Sequence, residues 1–320
     1  MKALVTGATG FIGSHLVETL VREGFEVVCL VRDITRVTYL EGLPVRTVRG
    51  DCTEVSSLAE AVEGCDYIFH LAGLTKARCA EDFFSVNVKG TENIVRVTLK
   101  VNPAIKRFVH LSSLAAAGPS SSGLPLKEDC ETRPVSLYGK TKLEGEQIVY
   151  KHRGDLPVTI IRPPAVYGPR DRDLYVFFKL VKSGVVPYWG KCFYSFLYID
   201  DLVNGIIRSA LSDQARGEVF FMSDGMVYTS DDIVDAIAEA LQKRPVRISI
   251  PRFVMPVIAA VSERLKGLSI VSSDRIKDMQ HSHWICDTSK AVARLQFEPK
   301  VKIKEGARWT ADWYRIHQWL

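Results

Sequence analysis

A tyrosine and a lysine four residues apart are residue types that could move a proton. Tyr138 and Lys142 lie in the segment SLYGKTKLEGE, whose pattern predicts a helix over 136–152, and their spacing puts both side chains on one helix face. A tyrosine with the ordinary pKa of about 10 is a poor base at neutral pH, and a neighbouring ammonium favours its phenolate form. Such a tyrosine can take a proton from an alcohol as a hydride leaves, or return one to a carbonyl. Ser113 follows a predicted strand and could hydrogen-bond the same substrate oxygen. Taken alone, a Tyr–Lys pair at this spacing is usually a solvated helix face, so the interpretation depends on the surrounding elements.

The elements that must position these residues alternate between strands and helices. Short β-branched runs predict strands, and the amphipathic segments between them predict helices. The predicted strands are 2–6, 26–31, 45–49, 66–71, 106–111 and 157–162, and the predicted helices are 11–23, 54–63, 83–101 and 136–152. This alternation predicts right-handed βαβ units, and therefore an α/β fold with a doubly wound parallel sheet.

The chain changes character after Arg162, where proline and aromatic residues become frequent. We expect a dinucleotide-binding Rossmann domain over 1–165, with segments near 198–225 returning to it, and a smaller, discontinuous C-terminal substrate lobe mainly within 166–320. The further predicted elements are strands at 198–200 and 218–222, both rejoining the first sheet, and helices at 230–242 and 251–265.

A glycine-rich turn joins the first predicted strand to the first helix. Its residues are Gly7, Ala8, Thr9, Gly10, Phe11, Ile12 and Gly13. Gly7 allows a tight turn, Gly10 lets the backbone approach a pyrophosphate, and Gly13 lets the helix pack close to the strand. The helix N-terminus then presents free N–H groups and the positive end of its dipole to phosphates. A glycine turn without a ligand is the alternative, but the strand before and the helix after it favour a dinucleotide site.

The residues after the second strand bear on which dinucleotide binds. Arg32 comes first and would pair with a 2′-phosphate through its planar guanidinium, which favours NADP(H). Asp33 comes next and would hydrogen-bond a ribose 2′-OH, so NAD(H) stays possible. A surface ion pair between the two is the remaining alternative.

Two further strand ends offer cofactor contacts. Asp51, after strand three, can place its carboxylate against an adenine amino group. Leu71, Ala72 and Gly73, after strand four, offer small residues where a cofactor would lie flat.

Composition sets limits on other functions. The chain has 320 residues and a net charge of +5, with no basic tail or arginine-rich stripe, so nucleic-acid binding has no compositional support. The longest apolar run near the C-terminus, 253–261, is far shorter than the roughly 20 residues of a membrane span. Because residues 2–6 are already predicted to form a strand, we expect no signal peptide and a cytoplasmic location.

The sequence also shows no spacing typical of metal ligands or of a disulfide framework. The seven cysteines are odd in number and show no CxxC spacing, which favours reduced, mostly buried thiols. His281 and His283 have no partner with ligand spacing and are expected to form a surface pair rather than a metal site. His70 and His110 end buried strands and are expected to be satisfied core residues.

Together these segments resemble the extended short-chain dehydrogenase/reductase family, and within it the NAD-dependent epimerase/dehydratase type. The matching segments are TGATGFIG at 6–13, HLAG at 70–73, VNVKGT at 86–91, SS at 112–113, YGKTK at 138–142, RPPAVYGP at 162–169 and YIDDL at 198–202. They occur in order along nearly the whole chain. The resemblance implies a catalytic set of Ser113, Tyr138 and Lys142, with Lys142 also holding the nicotinamide ribose.

The resemblance further implies cofactor contacts and an assembly. The residues it assigns are Phe11 and Ile12 at the pyrophosphate, Asp51 and Cys52 at the adenine, Leu71, Ala72, Gly73 and Asn87 along the cofactor, and Pro164 near the carboxamide. Many members form dimers through helices near 83–101 and 136–152, so a homodimer is expected.

Departures from the family pattern narrow the expected reaction. Leu114 and Ala115 follow Ser113 where dehydratases carry an acidic pair, which disfavours sugar dehydration. Sugar-nucleotide epimerases usually show Val-Tyr-Gly where this chain has Ala-Ala-Gly at 116–118. They also grip the diphosphate with an arginine, which the stretch 193–196 lacks.

The departures resemble the branch of hydroxysteroid dehydrogenases and dihydroflavonol reductases. We therefore expect NAD(P)-dependent interconversion of a hydroxyl and a ketone on a largely apolar substrate. An aromatic pocket wall is expected from Tyr175, Phe177, Phe178, Tyr188, Trp189, Phe193 and Tyr194, although any one of them could instead fill the core. The alternatives are a nucleotide-sugar epimerase that acts through a transient keto intermediate, and a non-catalytic NAD(P)-binding regulatory protein.

Overall fold

Seven parallel strands form the central sheet of the computed structural model, which describes residues 1–77, 79–251 and 273–320. The strands are β1 (Lys2–Thr6), β2 (Glu26–Val31), β3 (Val45–Arg49), β4 (Tyr67–His70), β5 (Arg107–Leu111), β6 (Val158–Arg162) and β11 (Glu218–Phe221). Their order across the sheet is β3-β2-β1-β4-β5-β6-β11. The winding direction reverses between β1 and β4, the place where ligands bind in open sheets of this kind. The predicted doubly wound Rossmann sheet is confirmed.

Helices cover both faces of this sheet. On one face lie α1 (Phe11–Arg22) and α8 (Ile199–Leu211), which share a buried apolar core. On the other face α2 (Ala59–Val62), α4 (Gly90–Val101) and α6 (Leu137–Lys151) share a second core. Shorter helical segments are a 3₁₀ turn at Val55–Ser57, α3 (Ala80–Phe83), a π-helix at Phe84–Lys89 and α5 (Leu114–Ala117). The segment predicted as one helix over 54–63 is therefore two short pieces.

The remaining elements form a smaller lobe. Its strands are β7 (Ala165–Tyr167), β8 (Val185–Tyr188), β9 (Phe193–Tyr194), β10 (Phe196–Tyr198), β12 (Tyr228–Thr229), β13 (Val246–Ser249) and β14 (His283–Trp284). Its helices are α7 (Tyr175–Ser183), α9 (Ser230–Leu241), α10 (Ser273–Met279), α11 (Ser289–Leu295) and α12 (Ile303–Ile316), with a 3₁₀ turn at Asp213–Ala215 outside them. The small sheets are β10-β7, β12-β9-β14 and β13-β8. Tyr314 of α12 and Val17 of α1 belong to one buried cluster, so the two parts of the chain share a core.

The predicted strand at 198–200 is wrong in position and in partner. The strand there is β10, which ends at Tyr198 and pairs with β7 outside the main sheet, and α8 begins at Ile199. Asp200 and Asp201 lie in the first turn of α8, where the helix dipole favours carboxylates. Asp201 also accepts hydrogen bonds from the backbone N–H groups of residues 300 and 301, at 3.0 and 2.9 Å.

Other expectations for this region have mixed outcomes. The predicted strand at 218–222 does rejoin the first sheet, as β11 beside β6, and the predicted helix at 230–242 is α9. The predicted helix at 251–265 and the apolar run at 253–261 lie outside the described residues, except for residue 251. Within the described ranges no helix is both long and apolar enough to cross a bilayer.

A directional chain of hydrogen bonds runs from β1 through β4 to α4. The hydroxyl oxygen of Thr6 accepts from the N–H of Ala72 at 3.1 Å and lies 2.8 Å from Nδ1 of His70. On the other side of the ring, Nε2 of His70 lies 3.1 Å from the hydroxyl oxygen of Thr91. That hydroxyl donates to the carbonyl oxygen of Asn87 at 2.7 Å. Because the Thr91 hydroxyl proton goes to Asn87, Nε2 of His70 carries a proton and donates to Thr91. In the neutral ring that burial favours, Nδ1 then accepts from Thr6.

His110, beside His70 on β5, has a different environment. The two rings stack with their centroids 5.4 Å apart, and both side chains are fully buried. Neither ring nitrogen of His110 has a hydrogen-bond partner among the described residues. The expectation of a satisfied core residue is therefore right for His70 and wrong for His110. Burial lowers the pKa of His70 to about 3 and holds that of His110 well below its usual value.

The free energy of unfolding should fall as the pH drops below about 6.5, the ordinary histidine pKa. The unfolded chain then takes up protons on both histidines that the folded chain excludes, and for His70 the loss continues to pH about 3. Each histidine contributes a slope of at most about 1.4 kcal/mol per pH unit. In urea unfolding at a series of pH values, His110→Leu should show a shallower dependence than the wild type. The control His281→Leu, at an exposed position, should keep the pH dependence of the wild type. An unchanged slope in His110→Leu would contradict this account.

Candidate active site

The parallel sheet brings the predicted site residues to one edge. Parallel strands all end on the same side, where the loops that follow them meet. The residues at this edge are Gly7 after β1, Arg32 after β2, Asp51 after β3, Leu71, Ala72 and Gly73 after β4, Ser113 after β5 and Pro164 after β6. The structure therefore collects residues that are scattered along the first half of the chain.

The glycine turn lies directly against the end of β4. Gly7 has a φ of +72°, in the left-handed region, and a Cβ added there would lie 2.8 Å from the backbone nitrogen of Ala72. A Cβ added at Gly13 would collide with the carbonyl oxygen of Gly7. Only glycine fits at either position, so the turn can close against β4 and against the start of α1.

The start of α1 is suited to an anionic ligand. Gly10 occupies the N-cap and has no side chain to cap the helix, and the first turn contains no acidic residue. Phe11 and Ile12 are the first two helical residues, and their N–H groups cannot find partners within the helix. Three glycines, uncapped N–H groups and the helix dipole fit a dinucleotide pyrophosphate.

Arg32 and Asp33 follow β2 on an exposed part of the edge. The carboxylate of Asp33 is engaged within its own turn. Its Oδ1 accepts from the backbone N–H and the hydroxyl of Thr35 at 3.0 and 2.6 Å, and its Oδ2 lies 3.3 Å from Nε of Arg36. The hydrogen bonds from Thr35 hold the pKa of Asp33 below its usual value. Asp33 thus forms a surface ion pair with Arg36.

Asp51 and Cys52 follow β3. Oδ1 of Asp51 accepts from the backbone N–H and the hydroxyl of Thr53, each at 2.9 Å. Cys52 is buried, and its carbonyl oxygen accepts from the side chain of Asn93 at 3.0 Å. Burial raises the pKa of the Cys52 thiol to about 12, so this cysteine packs and does not react.

Asn87 ties the loop after β4 to the helix that carries the Tyr–Lys pair. Its Oδ1 accepts from the N–H of Leu74 at 2.8 Å, and its Nδ2 donates to the carbonyl of Leu74 and the hydroxyl of Thr141, each at 3.1 Å. The Thr141 hydroxyl donates to the carbonyl oxygen of Tyr138 at 3.0 Å. The buried carboxamide thus holds the loop and the first turns of α6 in a fixed relation.

Lys142 lies buried between the ends of β4 and β5. Its Nζ donates to the carbonyl oxygen of Leu111 at 2.7 Å, and it lies 3.6 Å from the position of a Cβ added at Gly73. Burial lowers the pKa of Lys142 to about 8, and the nearby Glu146 carboxylate opposes this shift. At neutral pH the ammonium form still predominates.

Tyr138 and Ser113 lie on neighbouring helices at the same edge, since α5 and α6 pack together. Tyr138 is the second residue of α6 and is half-buried, with its ring 6.3 Å from that of Phe83. Ser113 is the N-cap of α5, and its Oγ accepts from the N–H of Ala115 at 3.1 Å. Its own hydroxyl proton can therefore be donated elsewhere.

Sequence reasoning did not anticipate a buried ion pair behind this edge. Arg162, the last residue of β6, donates to Glu146 through Nε at 2.9 Å and through Nη2 at 2.6 Å. Both side chains are buried. Glu146 lies one helical turn after Lys142, so the repeat of polar residues at 138, 142 and 146 was the signal that could have revealed it.

The predicted aromatic wall is divided between the core and the small lobe. Phe178 is fully buried with its ring 5.2 Å from Tyr314, and the Tyr175 ring lies 5.0 Å from Tyr314, so these two belong to the core. Phe193 stacks on His283 with centroids 4.8 Å apart and planes at 9°. The other members, Phe177, Tyr188, Trp189 and Tyr194, are exposed or half-buried.

The profile of the NAD-dependent epimerase/dehydratase family matches residues 3–221, more than half of the chain. The chain belongs to this family. It is an enzyme of the extended short-chain dehydrogenase/reductase type, as its sequence motifs predicted, and the family is NAD-binding.

Similar proteins within and around the family have several activities. The ceramide reductase of Caulobacter vibrioides is 29% identical over 331 residues, covering 99% of this chain and 95% of that protein. The 3beta-hydroxysteroid-dehydrogenase/decarboxylase isoform 2 of Arabidopsis thaliana is 26% identical, covering 97% of this chain and 61% of that protein. The solved UDP-glucuronic acid 4-epimerase from Bacillus cereus, in complex with UDP-glucuronic acid and NAD, matches with a TM-score of 0.81 and 22% identity over 99% of this chain and 100% of that one. This last likeness shows the shared fold alone.

Replacing Glu146 with Gln should lower the free energy of unfolding by about 3–5 kcal/mol, because it leaves the buried Arg162 guanidinium without its counter-charge. The pKa of Lys142 should fall further, since the Glu146 carboxylate is what raises it. The control Glu144→Gln, half-buried on the same helix, should cost less than about 1 kcal/mol. Urea unfolding of the wild type and the two variants measures their free energies of unfolding. Equal losses in Glu146→Gln and Glu144→Gln would contradict the assigned role of the Glu146–Arg162 pair.

Proposed function

We propose that the chain is an NAD(P)-dependent oxidoreductase that interconverts a hydroxyl and a ketone on a largely apolar, sterol-, flavonol- or lipid-like substrate. The main support is the uncharged stretch Phe193–Phe196, where the family's sugar-nucleotide epimerases use an arginine to grip a diphosphate. A diphosphate without a cationic partner would be poorly held. The cation nearest in sequence, Lys191, lies over the ring of Phe193 at 5.4 Å from its centroid.

Two of the relatives support an apolar substrate. By their names, one reduces ceramide and the other dehydrogenates a hydroxysteroid, and both match this chain over nearly its whole length. The epimerase alternative also has a sequence relative, an uncharacterized UDP-glucose epimerase of Bacillus subtilis that is 28% identical over 96% of this chain. The uncharged stretch at 193–196, rather than overall similarity, therefore favours the apolar substrate.

The cofactor would occupy the edge described above. The residues proposed to hold it are Gly7, Gly10, Phe11, Ile12 and Gly13 at the pyrophosphate, Arg32, Asp51 and Cys52 on the adenosine side, and Leu71, Ala72, Gly73, Asn87, Tyr138, Lys142 and Pro164 toward the nicotinamide. When bound, the nicotinamide ring supplies the carbon that gives or accepts a hydride.

The protein's own residues would handle the proton. During reduction the Tyr138 hydroxyl gives its proton to the substrate oxygen, and during oxidation the phenolate takes it back. The Lys142 ammonium, held by the Leu111 carbonyl at 2.7 Å, favours the phenolate. Ser113 donates its hydroxyl proton in a hydrogen bond that orients the substrate oxygen.

We propose NADP(H) as the preferred cofactor. Arg32 is exposed directly after β2, where the 2′ position of the adenosine ribose would lie. The Asp33 carboxylate is engaged by Thr35 and Arg36, which makes it a weaker partner for a ribose hydroxyl.

We also propose a domain division, an assembly and a location. A Rossmann domain of 1–165 with returning segments near 198–225 is supported by α8, which packs on α1, and by β11, which joins the main sheet. A homodimer through the helices near 83–101 and 136–152 is supported by Phe84 on the π-helix and Tyr150 on α6, which are 40% and 41% exposed. The seven cysteines are all free, as suits a reducing cytoplasm.

The proposal can be tested by following the absorbance of NADPH while the protein is incubated with each member of a substrate panel. The panel contains a ketosteroid, a long-chain keto lipid, UDP-glucose and UDP-glucuronic acid. We expect NADPH to be consumed stoichiometrically with an apolar ketone, and no reaction with the UDP-sugars. Epimer formation without net cofactor consumption would instead establish the epimerase. Cofactor binding without any turnover would favour the regulatory alternative.

Tyr138→Phe should lower kcat with the active ketone by roughly a hundredfold or more, because the variant has no hydroxyl proton to transfer. Its affinity for NADPH, measured by fluorescence titration, should change less than about threefold. Tyr67→Phe, at the first residue of β4 and therefore at the opposite edge of the sheet from the site, is the matched control and should keep wild-type activity. Full activity in Tyr138→Phe would show that Tyr138 is not the general acid.

Arg32→Ala should weaken NADPH binding by roughly tenfold to a hundredfold through loss of a charged hydrogen bond, while NADH binding stays within about twofold. Arg46→Ala, an exposed arginine on β3 paired with Glu60 at 2.5 Å, should affect neither cofactor. Equal losses for both cofactors in Arg32→Ala would disprove the 2′-phosphate assignment.

A further inference from the structure

The first turn of α6 needs acceptors from outside the helix. The N–H groups of its first three residues, Leu137, Tyr138 and Gly139, have no partner four residues earlier in the helix. Ser136, the N-cap, accepts from Gly139 at 3.2 Å. The N–H groups of Leu137 and of Tyr138 itself remain to be satisfied.

Asp274, on α10 of the smaller lobe, supplies both missing acceptors. Its Oδ1 accepts from the N–H of Leu137 at 2.7 Å, and its Oδ2 accepts from the N–H of Tyr138 at 3.0 Å. Only 18% of the Asp274 side chain is exposed, and its Oδ1 lies 3.7 Å from Nζ of Lys277. A negative charge at this end of α6 is also favoured by the helix dipole.

Helix α10 is itself anchored to the small three-stranded sheet. The indole N–H of Trp284 on β14 donates to the carbonyl oxygen of Asp278 at 2.9 Å. β14 pairs with β9, placing Trp284 opposite Tyr194. A continuous path therefore runs from the strand that carries Phe193 and Tyr194, through β14 and α10, to the backbone of Tyr138.

We propose that Asp274 is a positioning residue that clamps the first turn of α6 to the smaller lobe and thereby sets the place of the Tyr138 hydroxyl. The clamp links the lobe that would hold the substrate to the residue that would transfer the proton. Helix ends fray when their free groups lack partners, and a catalytic group displaced by about 1 Å can lose roughly a hundredfold in rate. The catalytic consequence rests on the proposed function, whereas the clamp itself does not.

Hydrogen–deuterium exchange of the peptide 136–142 tests the clamp without reference to activity. In Asp274→Ala the amides of this peptide should exchange roughly tenfold faster than in the wild type, because two of them lose their acceptor. Asp274→Asn keeps the shape and one acceptor oxygen and should give an intermediate rate. Lys277→Ala, on the same helix, should match the wild type, and unchanged exchange in peptides of the central sheet shows that each variant is folded.

Steady-state kinetics with the active ketone test the positioning role. Asp274→Ala should lower kcat by about tenfold to a hundredfold, with the NADPH dissociation constant within about twofold of the wild type. Asp274→Asn should recover part of the loss, and Lys277→Ala should retain wild-type kcat.

The outcomes separate the two claims. Unchanged exchange in Asp274→Ala overturns the clamp, and faster exchange with unchanged kcat overturns the positioning role. If the wild type turns over no member of the panel, the proposed function and the positioning role that rests on it are both wrong, and the exchange rates still decide the clamp.

Discussion

The neutral imidazole of His70 sets the geometry on which the rest of the site depends. One ring nitrogen accepts from Thr6, directly before the glycine turn, and the other donates to Thr91 on α4. Thr91 in turn holds the backbone of Asn87, whose side chain fixes the loop after β4 and reaches Thr141 on α6. This buried chain of hydrogen bonds thereby joins the glycine turn, the β4 loop and the Tyr–Lys helix.

Buried charge is the second constraint at this edge. Lys142, Glu146 and Arg162 form an alternating set of positive, negative and positive side chains, each of them buried. Burial works against the ammonium of Lys142, and the Glu146 carboxylate and the Leu111 carbonyl support it. One positive charge is thereby held at the end of β5 in a low-dielectric setting.

The shared fold does not by itself determine the reaction. The chain matches a UDP-sugar epimerase with a TM-score of 0.81, yet its 193–196 stretch is aromatic and uncharged. The smaller lobe nevertheless shares a buried core with α1 and reaches α6 through Asp274, so it is joined to the part of the chain that carries the glycine turn.

The amino-acid sequence alone determined the sheet, the glycine turn and the helix of the Tyr–Lys pair. The strands 2–6, 26–31 and 45–49 agree to the residue, because side-chain periodicity and turn glycines act over a few neighbouring positions. Only the tertiary structure decided that 196–198 pairs with 165–167, that His110 lacks a partner among the described residues and that Phe178 is core. It alone placed Asp274 against Tyr138, 136 residues away. A local pattern encodes whether a segment is helix or strand and which side is buried, whereas the partner of a buried polar group depends on which distant segments the fold brings together.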